Sequence, residues 1–142
     1  MSFTNPSDSE IREILSKPTT VAVVGCSANP ERDSLRIAML LRSKGFRVIP
    51  VNPQLPREAL RDDLGEPCYP DLASIPDPVE IVDVFRRPEH LPEIAQAAIK
   101  KGARVLWGQL GVADESAATL AQSAGMTVVM DRCPAIEYRR LF

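Results

Sequence analysis

Strand-like and helix-like runs alternate along this chain from end to end. Ser7-Asp8-Ser9-Glu10 has the pattern of a helix capping box, and Ile11, Ile14 and Leu15 follow at helical spacing before Pro18 closes the segment. Thr20-Val21-Ala22-Val23-Val24 is an unbroken apolar run, too short for a helix and rich in β-branched residues. Runs of that kind are strands buried on both faces, as in a parallel sheet. Gly25 breaks it. From about Ser34 the period changes to 3.6, with Ile37, Leu40 and Leu41 on one stripe and Gly45 as the stop. A second strand runs from Phe46 to Val51.

The stretch from Asn52 to Pro78 is less regular, punctuated by Pro53, Pro56, Pro67, Pro70, Pro76 and Pro78. A helical turn near 57–64, a short strand near 67–69 and a further turn at 71–75 are expected there. Regularity returns with a strand over 79–85, a helix over 91–101 stopped by Gly102, and a strand at 104–107. Asp114 is placed to cap a helix ending near Gly125. Met126-Thr127-Val128-Val129-Met130 is the last strand, followed by a short basic tail. Repeated βα units with two-faced apolar strands predict an α/β, doubly wound, mostly parallel sheet of five to six strands. Right-handed crossovers put the first strand in the middle, in the order 3-2-1-4-5.

Composition narrows the class. The 142 residues are the length of one domain, with residues 1–18 expected as an N-terminal helix packed on it. The chain is 44% hydrophobic and 25% charged, as in a packed globular domain. With 17 basic and 19 acidic residues it carries no basic excess that would suit nucleic acid or an anionic membrane. No apolar run approaches the ~20 residues of a membrane span, and MSFTNPSDSEIR lacks the pattern of a secretory signal. Three cysteines and one histidine suit neither a disulfide framework nor a zinc site. The expectation is a cytoplasmic protein with reduced thiols.

In a doubly wound sheet the ligand crevice lies beyond the C-terminal strand ends, at the switch point between the first and fourth of the expected strands. The first loop there reads Gly25-Cys26-Ser27-Ala28-Asn29-Pro30-Glu31-Arg32-Asp33-Ser34. It enters a helix N-terminus, which favours an anion; Ser27 and Ser34 add hydroxyls, and Arg32 a cation suited to phosphate. The plain alternative is a strand-to-helix turn in which the serines act as caps. A dinucleotide fingerprint needs a second glycine where Ser27 stands, and a Walker loop needs a Lys-Ser/Thr that is missing. After the second strand an NAD site calls for a carboxylate, and the chain has Asn52 and Pro53.

Five segments taken together carry a resemblance. Val21-Ala-Val-Val-Gly-Cys-Ser27, Arg47-Val-Ile-Pro-Val-Asn-Pro53, Val82-Asp-Val-Phe-Arg-Arg87, Trp107-Gly-Gln-Leu-Gly111 and Met130-Asp-Arg-Cys-Pro134 resemble the stand-alone CoA-binding protein family. That family is similar to the CoA-binding domain of the succinyl-CoA synthetase α subunit and of acyl-CoA synthetases. The resemblance spans nearly the whole chain and implies a Rossmann-like fold that holds coenzyme A by its nucleotide end. It implies that Gly25, Ser27, Arg32 and Ser34 lie at the diphosphate and that Asn52 and Pro53 lie beside the adenosine. Val84, Phe85, Arg86 and Arg87 would flank the ligand, and Gly108, Gln109 and Leu110 would touch the nucleotide or pantetheine. Cys26 departs from the small or aliphatic residue expected at its place and puts a thiol beside the site. A helix N-terminus and basic neighbours would lower that thiol's pKa, whereas a structural role would leave it inert.

CoA offers a diphosphate and a ribose 3′-phosphate, which call for several cations and no carboxylate near the ribose. Arg32, Arg86 and Arg87 stand on crevice loops, although Arg86-Arg87 also reads as a solvated pair. His90 reads as a surface histidine, Glu80 and Asp83 as edge or crevice polar residues, and Met126, Met130 and Trp107 as packing. The resulting expectation is a non-catalytic module that takes CoA or acyl-CoA through its phosphates, with a protein partner unassigned. The rivals are a partner-dependent acyl-CoA ligase subunit, an NAD(P)-binding oxidoreductase and a sensor.

Overall fold

A computed structural model describes residues 3–142 of the chain. Five strands form one all-parallel sheet: β1 (Thr20–Val24), β2 (Arg47–Val51), β3 (Ile81–Val84), β4 (Val105–Gly108) and β5 (Thr127–Val129), in the order β2-β1-β3-β4-β5. The doubly wound α/β expectation holds, with β1 beside the point where the order reverses. The strand expected near 67–69 does not form. Only Tyr69 pairs there, in a single bridge to Val51, with its amide donating to the Pro50 carbonyl at 3.0 Å and its carbonyl accepting from Asn52 at 2.9 Å. Pro67 and Pro70 bracket it and have no amide proton to extend a ladder.

Six helices cover the sheet: α1 (Asp8–Ser16), α2 (Asp33–Ser43), α3 (Arg61–Leu64), α4 (Leu91–Lys101), α5 (Glu115–Ser123) and α6 (Pro134–Leu141). The Ser7 hydroxyl caps α1 by accepting from the Glu10 amide at 3.3 Å, and Asp114 caps α5 by accepting from Ala117 at 2.8 Å. The C-terminal segment expected as a basic tail is α6. Proline at its first position is a good start, and Arg140 binds it to α1 through both carboxylate oxygens of Asp8, at 2.7 and 2.8 Å. That tie lies 132 residues apart in sequence, beyond the reach of any local pattern.

Alternation along the strands divides the core in two. Ala22, Val24, Ile49, Val82, Val84 and Leu106 face α4 and α5. Val21, Val23, Val48, Ile81, Val105 and Trp107 face α1, α2 and α6. Asp83 lies between Val23 and Trp107 in the register, so its side chain points into the second of these layers.

Candidate functional site

The C-terminal ends of β1, β3 and β4 meet in a narrow seam. Gly25 leaves β1 at φ +86°, and a Cβ there would lie 2.8 Å from the Phe85 carbonyl oxygen and 3.0 Å from the Arg86 side chain. Only glycine allows that approach without strain. Gly108 is tight for a different reason, since a Cβ would collide with the Val112 carbonyl. The Gly25 amide donates to Val51 O at 2.8 Å and the Phe85 amide to Val24 O at 2.8 Å, so the β1 and β3 exits are locked side by side.

The loop from β1 to α2 is closed by its own polar groups. The Ser34 hydroxyl accepts from the Ser27 amide at 2.9 Å, the Ser27 hydroxyl from Asn29 at 3.0 Å, and Asn29 Oδ1 from Glu31 at 2.9 Å. The serines therefore close the loop and do not cap α2, whose N-cap Arg32 makes no side-chain cap hydrogen bond. Asn52 braces the same loop from β2: its Nδ2 donates to Cys26 O at 3.0 Å and its Oδ1 accepts from Gln54 at 2.9 Å. The Cys26 side chain is wholly buried, and burial pushes its thiol up to about 12. Desolvation outweighs the helix terminus, so of the two sequence readings of Cys26 the inert structural thiol is the one that agrees with its burial.

Two hollows flank the seam. The smaller, about 250 Å³, lies toward α4 and is lined by Gly25, Pro53, Pro70, Asp71 and Arg86 among others. The larger, about 460 Å³, lies between α2 and α6 and takes in Phe85, Gln109 and Leu110. The structure thus divides the sequence-predicted residues between two sides. Gly25, Pro53 and Arg86 are on one, and Phe85, Gln109 and Leu110 on the other. Val84 is fully buried and offers the site only its backbone, whose carbonyl accepts from the Gln109 amide at 3.3 Å. Arg32 is exposed on the loop and lines neither hollow, while Arg87 points outward beside Glu89 at 3.8 Å. Cations that the sequence reading passed over are Arg36 and Arg139, both on the larger hollow. Arg36 already pairs with Asp33. Its place three residues after Asp33 on the helix was the available signal; Arg139 was hidden because α6 itself was not foreseen.

Asp83 corrects a second expectation. It is neither at an edge nor in the crevice but 1% exposed in the central strands. Gln109 Nε2 donates to its Oδ1 at 2.5 Å, and its Oδ2 has no partner. Burial pushes its carboxyl up to about 7. Trp107 packs as expected, its indole N–H donating to the Arg132 carbonyl at 2.8 Å. His90 lies beside Glu93 and Glu89, at 3.2 and 3.9 Å. Among the described residues, no cluster of acidic, cysteine or histidine side chains is arranged to hold a metal ion, and no helix is long and apolar enough to cross a membrane.

This geometry defines a doubly wound domain with two hollows beside the switch point. The chain belongs to the family described as CoA binding domain, which matches residues 19–139. It is 39% identical over 129 residues to a Bacillus subtilis protein named "Uncharacterized protein YneT", covering 91% of this chain and 92% of that one. The solved structure of a hypothetical protein from Pyrococcus horikoshii is 39% identical, with a TM-score of 0.88 and 99% of both chains covered. Acetate–CoA ligase [ADP-forming] II of Archaeoglobus fulgidus is 30% identical over 87 residues, which are 60% of this chain and 12% of the ligase. The chain is thus similar to a segment of a CoA ligase, and it spans nearly the whole length of the Bacillus and Pyrococcus relatives.

Proposed function

We propose that this protein binds coenzyme A across the C-terminal ends of β1, β3 and β4 and carries no catalytic centre of its own. The observation that carries the reading is the seam at Gly25, Phe85 and Arg86, with a hollow on either side. A long, two-ended ligand with phosphates in its middle suits that shape. The adenosine end lies toward Pro53 and Pro70, and the diphosphate lies over the seam beside the half-buried Arg86. Arg32 and Arg87 supply further positive charge from the rim. The pantetheine end runs past Phe85 toward Gln109 and Leu110.

Asn52 stands where an NAD site needs a carboxylate, and its amide is occupied in bracing the β1 loop. The carboxylates on the smaller hollow are likewise engaged: Asp71 accepts from the Ser74 amide and hydroxyl, and Glu93 lies against His90. Isothermal calorimetry with CoA, 3′-dephospho-CoA and NAD tests the reading. CoA is expected to bind tightest and NAD weakest; NAD affinity equal to that of CoA overturns it. An ATP- and CoA-dependent thioester assay over a panel of carboxylic acids tests the non-catalytic part. Turnover by the isolated protein, with or without His90, would replace a binding module with a ligase.

A further inference from the structure

The larger hollow reaches well past the loops assigned to CoA. One wall is the face of α2 bearing Asp33, Ile37 and Leu40, which spans about 10 Å of helix. The opposite wall is α6, through Ala135, Ile136 and Arg139, and the floor at one end is Phe85 and Gln109. Apolar side chains dominate its interior, yet its lip leaves Leu110 59% and Ile136 47% exposed. A volume of about 460 Å³ is in the range of small-molecule sites, which run from about 300 to 1,000 Å³. Neither holding phosphate nor packing the core requires an apolar trough of this length.

We infer that the trough between α2 and α6 is an acyl subsite, so that the physiological ligand is an acyl thioester of CoA with an uncharged chain. The inference rests on the CoA reading above, and continuity is what identifies the occupant. Phe85, Gln109 and Leu110 belong both to the loops beside the pantetheine arm and to the mouth of the trough. A thioester leaving that mouth meets an apolar lining of Ile37, Leu40 and Ile136. Of the two cations on the trough, Arg36 already pairs with Asp33 and Arg139 is exposed on α6, so neither offers a buried partner for a second carboxylate at the far end of the chain.

The test is calorimetry with CoA and with acetyl-, butyryl-, hexanoyl-, octanoyl- and succinyl-CoA, on the wild type, Ile136→Glu and Leu120→Glu. Both substituted residues are exposed, and Leu120 lines neither hollow. Wild-type affinity is expected to rise up to about fourfold per buried methylene and to level off once the chain outgrows the trough. Succinyl-CoA should bind more weakly than butyryl-CoA. Ile136→Glu should flatten the chain-length dependence, and Leu120→Glu should retain it; circular dichroism confirms that both variants fold. Failure of CoA and every thioester to bind would overturn the CoA reading itself. CoA binding without chain-length dependence would overturn the acyl subsite alone. A dependence that survives Ile136→Glu would put the chain elsewhere, and tighter binding of succinyl-CoA would refute the uncharged chain. Sedimentation of the same samples covers another occupant: a dimer lost in Ile136→Glu, with flat chain-length dependence, would show that a second copy fills the trough.

Discussion

The two faces of the sheet are built differently. Beneath α4 and α5 the strands present only apolar side chains, with Ala22, Val82 and Leu106 fully buried, and the smaller hollow opens at the Val24 and Val51 ends. Beneath α1, α2 and α6 lie the buried polar side chains found among the described residues: Ser34, Asp83, Gln109 and Glu137. The larger hollow opens on that same side. Burying polar groups costs stability unless each finds a partner, and Asp83 Oδ2 has none. One face is therefore held by apolar packing between strands and helices, while the other gives up part of its stability to buried polar groups beside the larger hollow.

The largest expected effect is on the apolar face. Leu106→Ala removes a fully buried side chain from the α4–α5 layer and should cost about 2–5 kcal/mol, by the same amount at pH 5 and pH 8. Urea unfolding at both values checks it, and a strongly pH-dependent loss would show that the layers are not independent.

Asp83 should dominate the pH dependence of the other face. Its folded pKa is raised, from 3.8 to about 7. The native state therefore holds the proton more tightly, and the stability present below about pH 4 is lost as pH rises through about 7. The loss across that interval is up to about 4 kcal/mol, since each pH unit between the two pKa values is worth about 1.4 kcal/mol. Asp83→Asn should flatten that profile and raise the midpoint at pH 8. An unchanged profile would mean that water or a neighbour relieves the carboxylate.

Arg86→Ala is smaller and falls on the ligand. If Arg86 meets the diphosphate, CoA affinity should drop by about 1.5–3 kcal/mol, tenfold or more, while stability moves within about 0.5 kcal/mol. The reverse outcome would make Arg86 a brace for the Gly25 seam. The least change is expected at the thiols. Cys26, Cys68 and Cys133 are all buried, so a thiol reagent at pH 8 should label the native protein far more slowly than the urea-unfolded chain. Fast native labelling would show that the Cys26 side opens.

Local pattern alone determined most of the architecture. The apolar runs at Thr20–Val24 and Ile81–Val84, the caps at Ser7 and Asp114 and the stops at Gly45 and Gly102 are short-range signals, and they placed the strands, the helices and the crevice end of the sheet. The loops that meet at the seam followed from strand order. Only tertiary structure decided the rest, because each remaining feature depends on a neighbour distant in sequence. Tyr69 is reduced to a single bridge between two prolines. The tail becomes α6 through Arg140 and Asp8. Asp83 looks like an ordinary alternating polar residue until Val23 and Trp107 close over it on adjacent strands. Cys26 sits at an electropositive loop in sequence, yet burial sets its chemistry. Periodicity records which side of an element is apolar; what lies against that side, and whether water reaches it, is settled by packing.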